Sequence, residues 1–164
     1  MIEKAIKERM KKEIKEIKKL YQATIDGDEP SIFHKKCDNI PNTLILYKSA
    51  GKRRFGGFAS KCWNSNGQSI MDKNCFLFSL DSKKIYFMNN SEYYFLERSY
   101  SIGPSFSDGL IYIIEIKDAL KNRTLKTNEQ NHSGIFGGGK NALSEDGGSR
   151  GIFAEEYEIF QIIF

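Results

Sequence analysis

The stretch that most constrains this chain is Lys52-Arg53-Arg54-Phe55-Gly56-Gly57-Phe58-Ala59-Ser60-Lys61-Cys62-Trp63. A glycine pair sits between two phenylalanines, and the single tryptophan follows five residues after the second. Glycines inside an apolar, strand-like run mark a bulge, a sharp bend or a close backbone approach. Phe55 to Ser60 is therefore expected to be a strand crossing a packed sheet. Beyond Ser60 and Cys62 the stretch carries no nucleophile, and it has no acid or general base, so it reads as architecture rather than catalysis.

The surrounding pattern supports a sheet-rich domain. Thr43-Leu44-Ile45-Leu46-Tyr47 is a short apolar run bounded by Pro41-Asn42 and Ala50-Gly51, which predicts a buried strand and a hairpin into the next. Further strands are predicted at Cys75–Leu80, Lys84–Met88, Tyr93–Leu96, Leu110–Ile116 and Tyr157–Phe164. Ser101 to Phe106 reads as a structured loop, Ser107-Asp108-Gly109 as a turn, and 118–151 as a long polar loop with one helical turn near Ala119. Strands that follow one another without alternating long helices predict antiparallel sheets. A chain of 164 residues that is 40% hydrophobic and 13% aromatic is long enough for one real core.

Helix is confined to the start. Ile2, Ile6, Met10, Ile14, Ile17 and Tyr21 recur at steps of three or four and predict one amphipathic helix over 2–21, with Glu3–Lys7 and Glu8–Lys12 pairs in support. Its remaining face is lysine-rich, and a solvated face, a partner helix and an anionic surface are its competing uses. Asp26-Gly27-Asp28-Glu29-Pro30 then forms a turn, and Ser31 is placed to N-cap a short helix over 32–37. The formal net charge of +4 belongs to this leading segment. Residues 1–20 hold eight basic and four acidic residues, leaving seventeen of each beyond them. A domain-wide nucleic-acid footprint is not expected.

The candidate chemistry is thin. Asp26-x-Asp28 lacks the glycine and glutamate of a calcium loop, since Ser31 and Cys37 hold those places. His34 and Cys37 are half a zinc site with no second pair, so neither metal nor cofactor is expected. Gly134-Ile135-Phe136-Gly137-Gly138-Gly139-Lys140-Asn141 imitates a phosphate-binding loop but has asparagine where magnesium needs a hydroxyl. Cys37, Cys62 and Cys75 are too scattered for a disulfide framework and imply a reducing compartment. No apolar leader or membrane-spanning run occurs. A cytoplasmic, soluble protein is the expectation.

The order of landmarks resembles the TLDc domain family, which is linked to oxidation resistance. The matching residues are Phe33-His34-x-x-Cys37-Asp38-Asn39, Thr43-Leu44, Phe55-Gly56-Gly57-Phe58 and Trp63-Asn64-Ser65. After them come Asp72-x-x-Cys75-Phe76-Leu77-Phe78-Ser79-Leu80, Gly103-Pro104-Ser105-Phe106 with Gly109, and Glu158-x-Phe160-Gln161. The chain departs from the family at Phe106-Ser107-Asp108-Gly109, where Phe-Gly-x-Gly is common, and 117–145 follows no family pattern. The resemblance covers about 17–164, with 1–16 as a basic helical lead-in.

The resemblance implies an α+β, β-rich fold: a sandwich of two antiparallel sheets with short helices around it. It also implies protection from oxidative stress and binding to the vacuolar-type proton pump, in some members with its disassembly. No catalytic residues come with it. The expectation is a non-enzymatic interaction module in which the motif residues serve the fold. The alternative is a redox-protective protein using Cys37, Cys62 or Cys75 as a reactive thiol.

Overall fold

The computed structural model describes residues 1–68, 70–87, 95–97, 101–107, 112–115, 120, 126–127 and 154–164. The chain opens with helix α1 (Ile2–Met10), strand β1 (Glu16–Gln22) and helices α2 (Ala23–Asp26) and α3 (Pro30–Cys37). Strands β2 (Thr43–Ser49), β3 (Arg54–Ala59), β4 (Ile70–Met71), β5 (Phe76–Ser79) and β6 (Lys84–Phe87) follow. The described part ends with β7 (Phe95–Glu97), β8 (Ser105–Ser107), β9 (Tyr112–Glu115), β10 (Lys126–Thr127) and β11 (Ala154–Ile163).

The protein is β-rich. Six strands make one antiparallel sheet in the order β1-β11-β2-β3-β5-β6, and five short ones make a second in the order β10-β9-β8-β7-β4. The last long strand, β11, is an inner strand next to the edge, inserted between β1 and β2, so segments from the two ends of the chain pair in one sheet. The hairpin expected at Ala50-Gly51 joins β2 to β3, and Tyr47 faces Phe55 in register. Its turn puts Lys52 at φ 68°.

Side-chain alternation divides the six-stranded sheet between two cores. On one face Ile45, Tyr47, Phe55, Ala59, Leu77, Tyr157 and Ile159 are buried with Phe33 and Cys37 of α3, Trp63, and Phe106 of β8. On the other, Phe58, Phe76, Phe78 and Ile162 pack under Ala5 and Ile6 of α1. Burial of an isoleucine such as Ile6 is worth about 2 kcal/mol, which docks a helix too short to persist alone.

The helix predicted over 2–21 is corrected. It ends at Met10, and Lys11 turns into the left-handed region (φ 56°, ψ 36°) while its N–H closes on Lys7 O at 2.9 Å. Residues 16–22 are strand instead, paired with β11 from Glu16–Ile163 to Gln22–Glu158. Ile17 and Tyr21 fit a 3.6-residue stripe, but the edge of β11 offers a ladder of backbone partners, interrupted only by a bulge between Lys19 and Tyr21, that local periodicity cannot register. The stripe was not one core face: Ile6 and Tyr21 are buried, whereas Ile17 is 58% exposed. Lys7 is bridged to Glu3 at 3.1 Å and to Glu13 at 2.7 Å.

Smaller differences are local. The second predicted helix is α3, but Glu29 occupies the N-cap without a side-chain bond, and Pro30 takes the first turn in place of a Ser31 cap. Ser105 to Ser107 is strand rather than loop and turn. Strand β4 was not anticipated; two residues are too few to carry a period. The phosphate-loop imitation at 134–141, the turn at 108–109 with Gly109, and the helical turn near Ala119 lie outside the described residues.

Candidate functional site

The motif residues converge although they are spread over seventy positions. In α3, Phe33 and Cys37 are one turn apart and both fully buried, which leaves Ser31 and Lys35 on the outer side. The ring of Phe33 meets Trp63 edge-on at 5.8 Å, and Trp63 meets Phe106 edge-on at 5.7 Å. Trp63 Nε1 donates to Thr43 Oγ1 at 2.7 Å, so the indole is satisfied in a dry core. Tyr47 packs on Phe55 and donates its hydroxyl to the carbonyl of Pro104 at 3.0 Å, tying β2 to the Gly103-Pro104 segment.

Above this core runs a polar chain. His34 Nδ1 lies 2.8 Å from Asp38 Oδ1, and His34 Nε2 lies 3.0 Å from the carbonyl oxygen of Ile102. Ser65 Oγ donates to Asp38 Oδ2 at 2.6 Å, and Asn39 N–H donates to Trp63 O at 2.9 Å. Three segments remote in sequence, 34–39, 63–65 and 102, are thereby clasped together. An open groove of about 390 Å³ lined by Ser31, His34, Lys35, Asp38 and Ser65 lies over the clasp.

The clasp contains serine, histidine and aspartate but is not wired as a nucleophilic triad. A triad base uses the imidazole nitrogen opposite the carboxylate to take a proton from the serine. Here that nitrogen, Nε2, faces a carbonyl acceptor, and the serine bonds the carboxylate directly. The arrangement holds segments together rather than activating a hydroxyl.

A second carboxylate, Asp72, does similar work within the loop after β3. It is buried and accepts Ser60 N–H at 2.5 Å, Ser60 Oγ at 2.6 Å, Lys61 N–H at 3.1 Å and Asn74 N–H at 3.0 Å. Asp26 of the discarded calcium reading takes Lys36 Nζ at 2.6 Å and Gln22 N–H at 2.9 Å. Among the described residues, no group of three or more His, Cys, Asp or Glu is arranged to hold a metal ion.

Not all motif residues join this centre. Phe58, Phe76 and Phe78 line the opposite core under α1. Glu158 and Phe160 lie on β11 beside the edge strand, where Lys19 pairs with Glu158 and its Nζ stands 5.5 Å from the Phe160 ring centroid. The three thiols are separate in character. Burial pushes Cys37 up to about 12, with the charge of Asp38 adding to it, and burial likewise raises Cys75. Cys62 is half-buried. Ser65, His34 and their common partner Asp38 are each visible as motif residues, but the Ile102 link is a backbone carbonyl with no side-chain signal.

These features define a β-rich domain with aromatic side chains and hydrogen-bonded carboxylates packed inside it. The TLDc domain family model matches residues 1–163, and the chain belongs to that family. A comparison with curated proteins finds no match. No helix among the described residues is long and apolar enough to cross a membrane.

Proposed function

We propose that this protein is a non-enzymatic TLDc-type interaction module of the cytoplasm, linked to oxidative-stress resistance and to regulation or disassembly of the vacuolar-type proton pump. Its two sheets act as one sandwich, presenting loops and edges to a protein partner. One observation carries the reading: the residues that would be catalytic candidates are spent inside the structure. Both ring nitrogens of His34 lie within hydrogen-bond distance of protein oxygens, and Cys37 sits beneath it in the core. The pump as partner comes from family membership.

The test is affinity purification of the tagged chain from native membranes with the pump intact. Co-purification of peripheral pump subunits is the expected result. Their absence, with the bait folded and abundant, overturns the pump assignment. The thiol-based reading retains Cys62, the one cysteine that is not buried.

A further inference from the structure

Strand β1 is the outer strand of the six-stranded sheet, and among the described residues no strand pairs with its far side. An edge strand presents a row of backbone N–H and C=O groups able to accept another strand. The C-terminal half of β1 is covered, with Tyr21 buried, but Glu16, Ile17, Lys18 and Lys19 are all exposed. Ile17 stands beside Ile162 in register on the face that carries α1, yet Ile162 is buried and Ile17 is not.

The charge beside this edge is mostly positive, with Glu13 and Glu16 set among the lysines. Lys12, Lys15 and Lys18 lie at its open end, and among the described residues none of them is in an ion pair, although Lys12 reaches over the Phe164 ring at 5.7 Å. Glu13 is occupied by Lys7. A groove of about 320 Å³ between Lys12, Glu13, Lys15 and Phe164 leads into the start of β1.

We propose that the open edge of β1 is a docking site for an extended acidic segment of a partner protein, added as a seventh strand. The inference rests on the interaction-module reading and gives that reading a surface and a partner chemistry. Backbone pairing with residues 16–19 supplies the register; by strand alternation, carboxylates on one face of the incoming strand meet Lys18 and a carboxylate near its end on the other face meets Lys15. An apolar side chain on it covers Ile17. A second copy of this chain is disfavoured, because pairing β1 with itself brings the three lysines and one glutamate of residues 15–19 against the same set. A lipid surface fits less well: it satisfies no backbone groups, and the exposed stretch offers one apolar residue and intervening glutamates.

The probe is a fluorescent peptide, Glu-Glu-Val-Glu-Val-Glu-Asp with blocked ends, which carries acids along one face and valines flanked by acids on the other; it is titrated into the full chain and followed by anisotropy and amide chemical shifts. Binding with shifts centred on 15–19 is expected. The Lys15→Glu/Lys18→Glu double variant, folded by its unchanged melting temperature, should bind about tenfold more weakly or worse. The same peptide N-methylated on alternate amides keeps its charge but cannot pair, and should not bind. Equal binding of the N-methylated peptide, no binding of either, or binding only to phosphatidylserine vesicles overturns the proposal. Pump subunits recovered equally by wild type and double variant also overturn it while sparing the pump assignment. Peptide binding without pump recovery has the opposite meaning.

Discussion

Gly57 of β3 and Phe106 of β8 share one space: a Cβ on Gly57 would lie 2.4 Å from Phe106 Cζ and 2.9 Å from Leu77 Cδ2. Neighbouring Gly56 is closed on the opposite face, its hypothetical Cβ 2.0 Å from the carbonyl oxygen of Ile45 and 2.6 Å from Phe78 Cζ. The pair lets β3 be approached closely from both sides. Replacing Gly57 by valine therefore overfills a dry core and should cost about 3 kcal/mol. Chemical denaturation measures it, and an unchanged midpoint would disprove the close-approach role. Gly67 provides the contrast: no atom lies within 4 Å of its Cβ position, and its φ of 74° alone should make alanine cost about 1 kcal/mol.

The His34–Asp38 contact should behave as a clasp. Asp38→Asn and His34→Gln are each expected to destabilise by about 1–3 kcal/mol, because each leaves a buried or half-buried group without its partner. A double-mutant cycle should give a coupling of about 1 kcal/mol, since the two residues act on the same contact. Additive effects would show that they do not cooperate.

Thiol reactivity should separate the three cysteines. In the native protein, iodoacetamide at mildly alkaline pH is expected to modify Cys62 and to spare Cys37 and Cys75, which burial keeps protonated. Peptide mapping by mass spectrometry reads the outcome, with the unfolded chain as the control in which all three react. Rapid native labelling of Cys37 would revive a reactive thiol at the clasp.

Asp26 should contribute to acid sensitivity. The Lys36 ammonium, followed by the Gln22 N–H, holds its carboxyl below the ordinary value of 3.8. A depressed folded value means that the stabilisation is present above about pH 4 and lost as pH falls through the folded value. Asp26→Asn should lower stability near pH 7 by ~0.5 kcal/mol, the scale of a partly exposed pair, and by nothing below the titration. Urea titrations at the two pH values check it; an equal loss at both would remove the Lys36 pair as the cause.

Much of this protein was legible before its structure. The short apolar run Thr43–Tyr47, the Ala50-Gly51 turn and the glycines between Phe55 and Phe58 marked β2, β3 and their hairpin, because strand composition and turn chemistry are local. The motif order also sufficed to place the chain in its family. The candidate site was legible only as separate residues: Phe33, Asp38, Trp63 and Ser65 carry no sign of mutual contact.

The amino-acid order by itself determined the strand-rich class, the packing role of the glycine pair and the basic character of the leading segment. Tertiary structure decided that residues 16–22 are strand, because β11 supplies hydrogen-bond partners from 140 positions away. It also decided the clasp, since the carbonyl of Ile102 reaches His34 only when loop and helix are packed on the same core. Pairing and packing at long range override the local preference of a short segment, and both the edge of β1 and the groove above α3 are products of that competition.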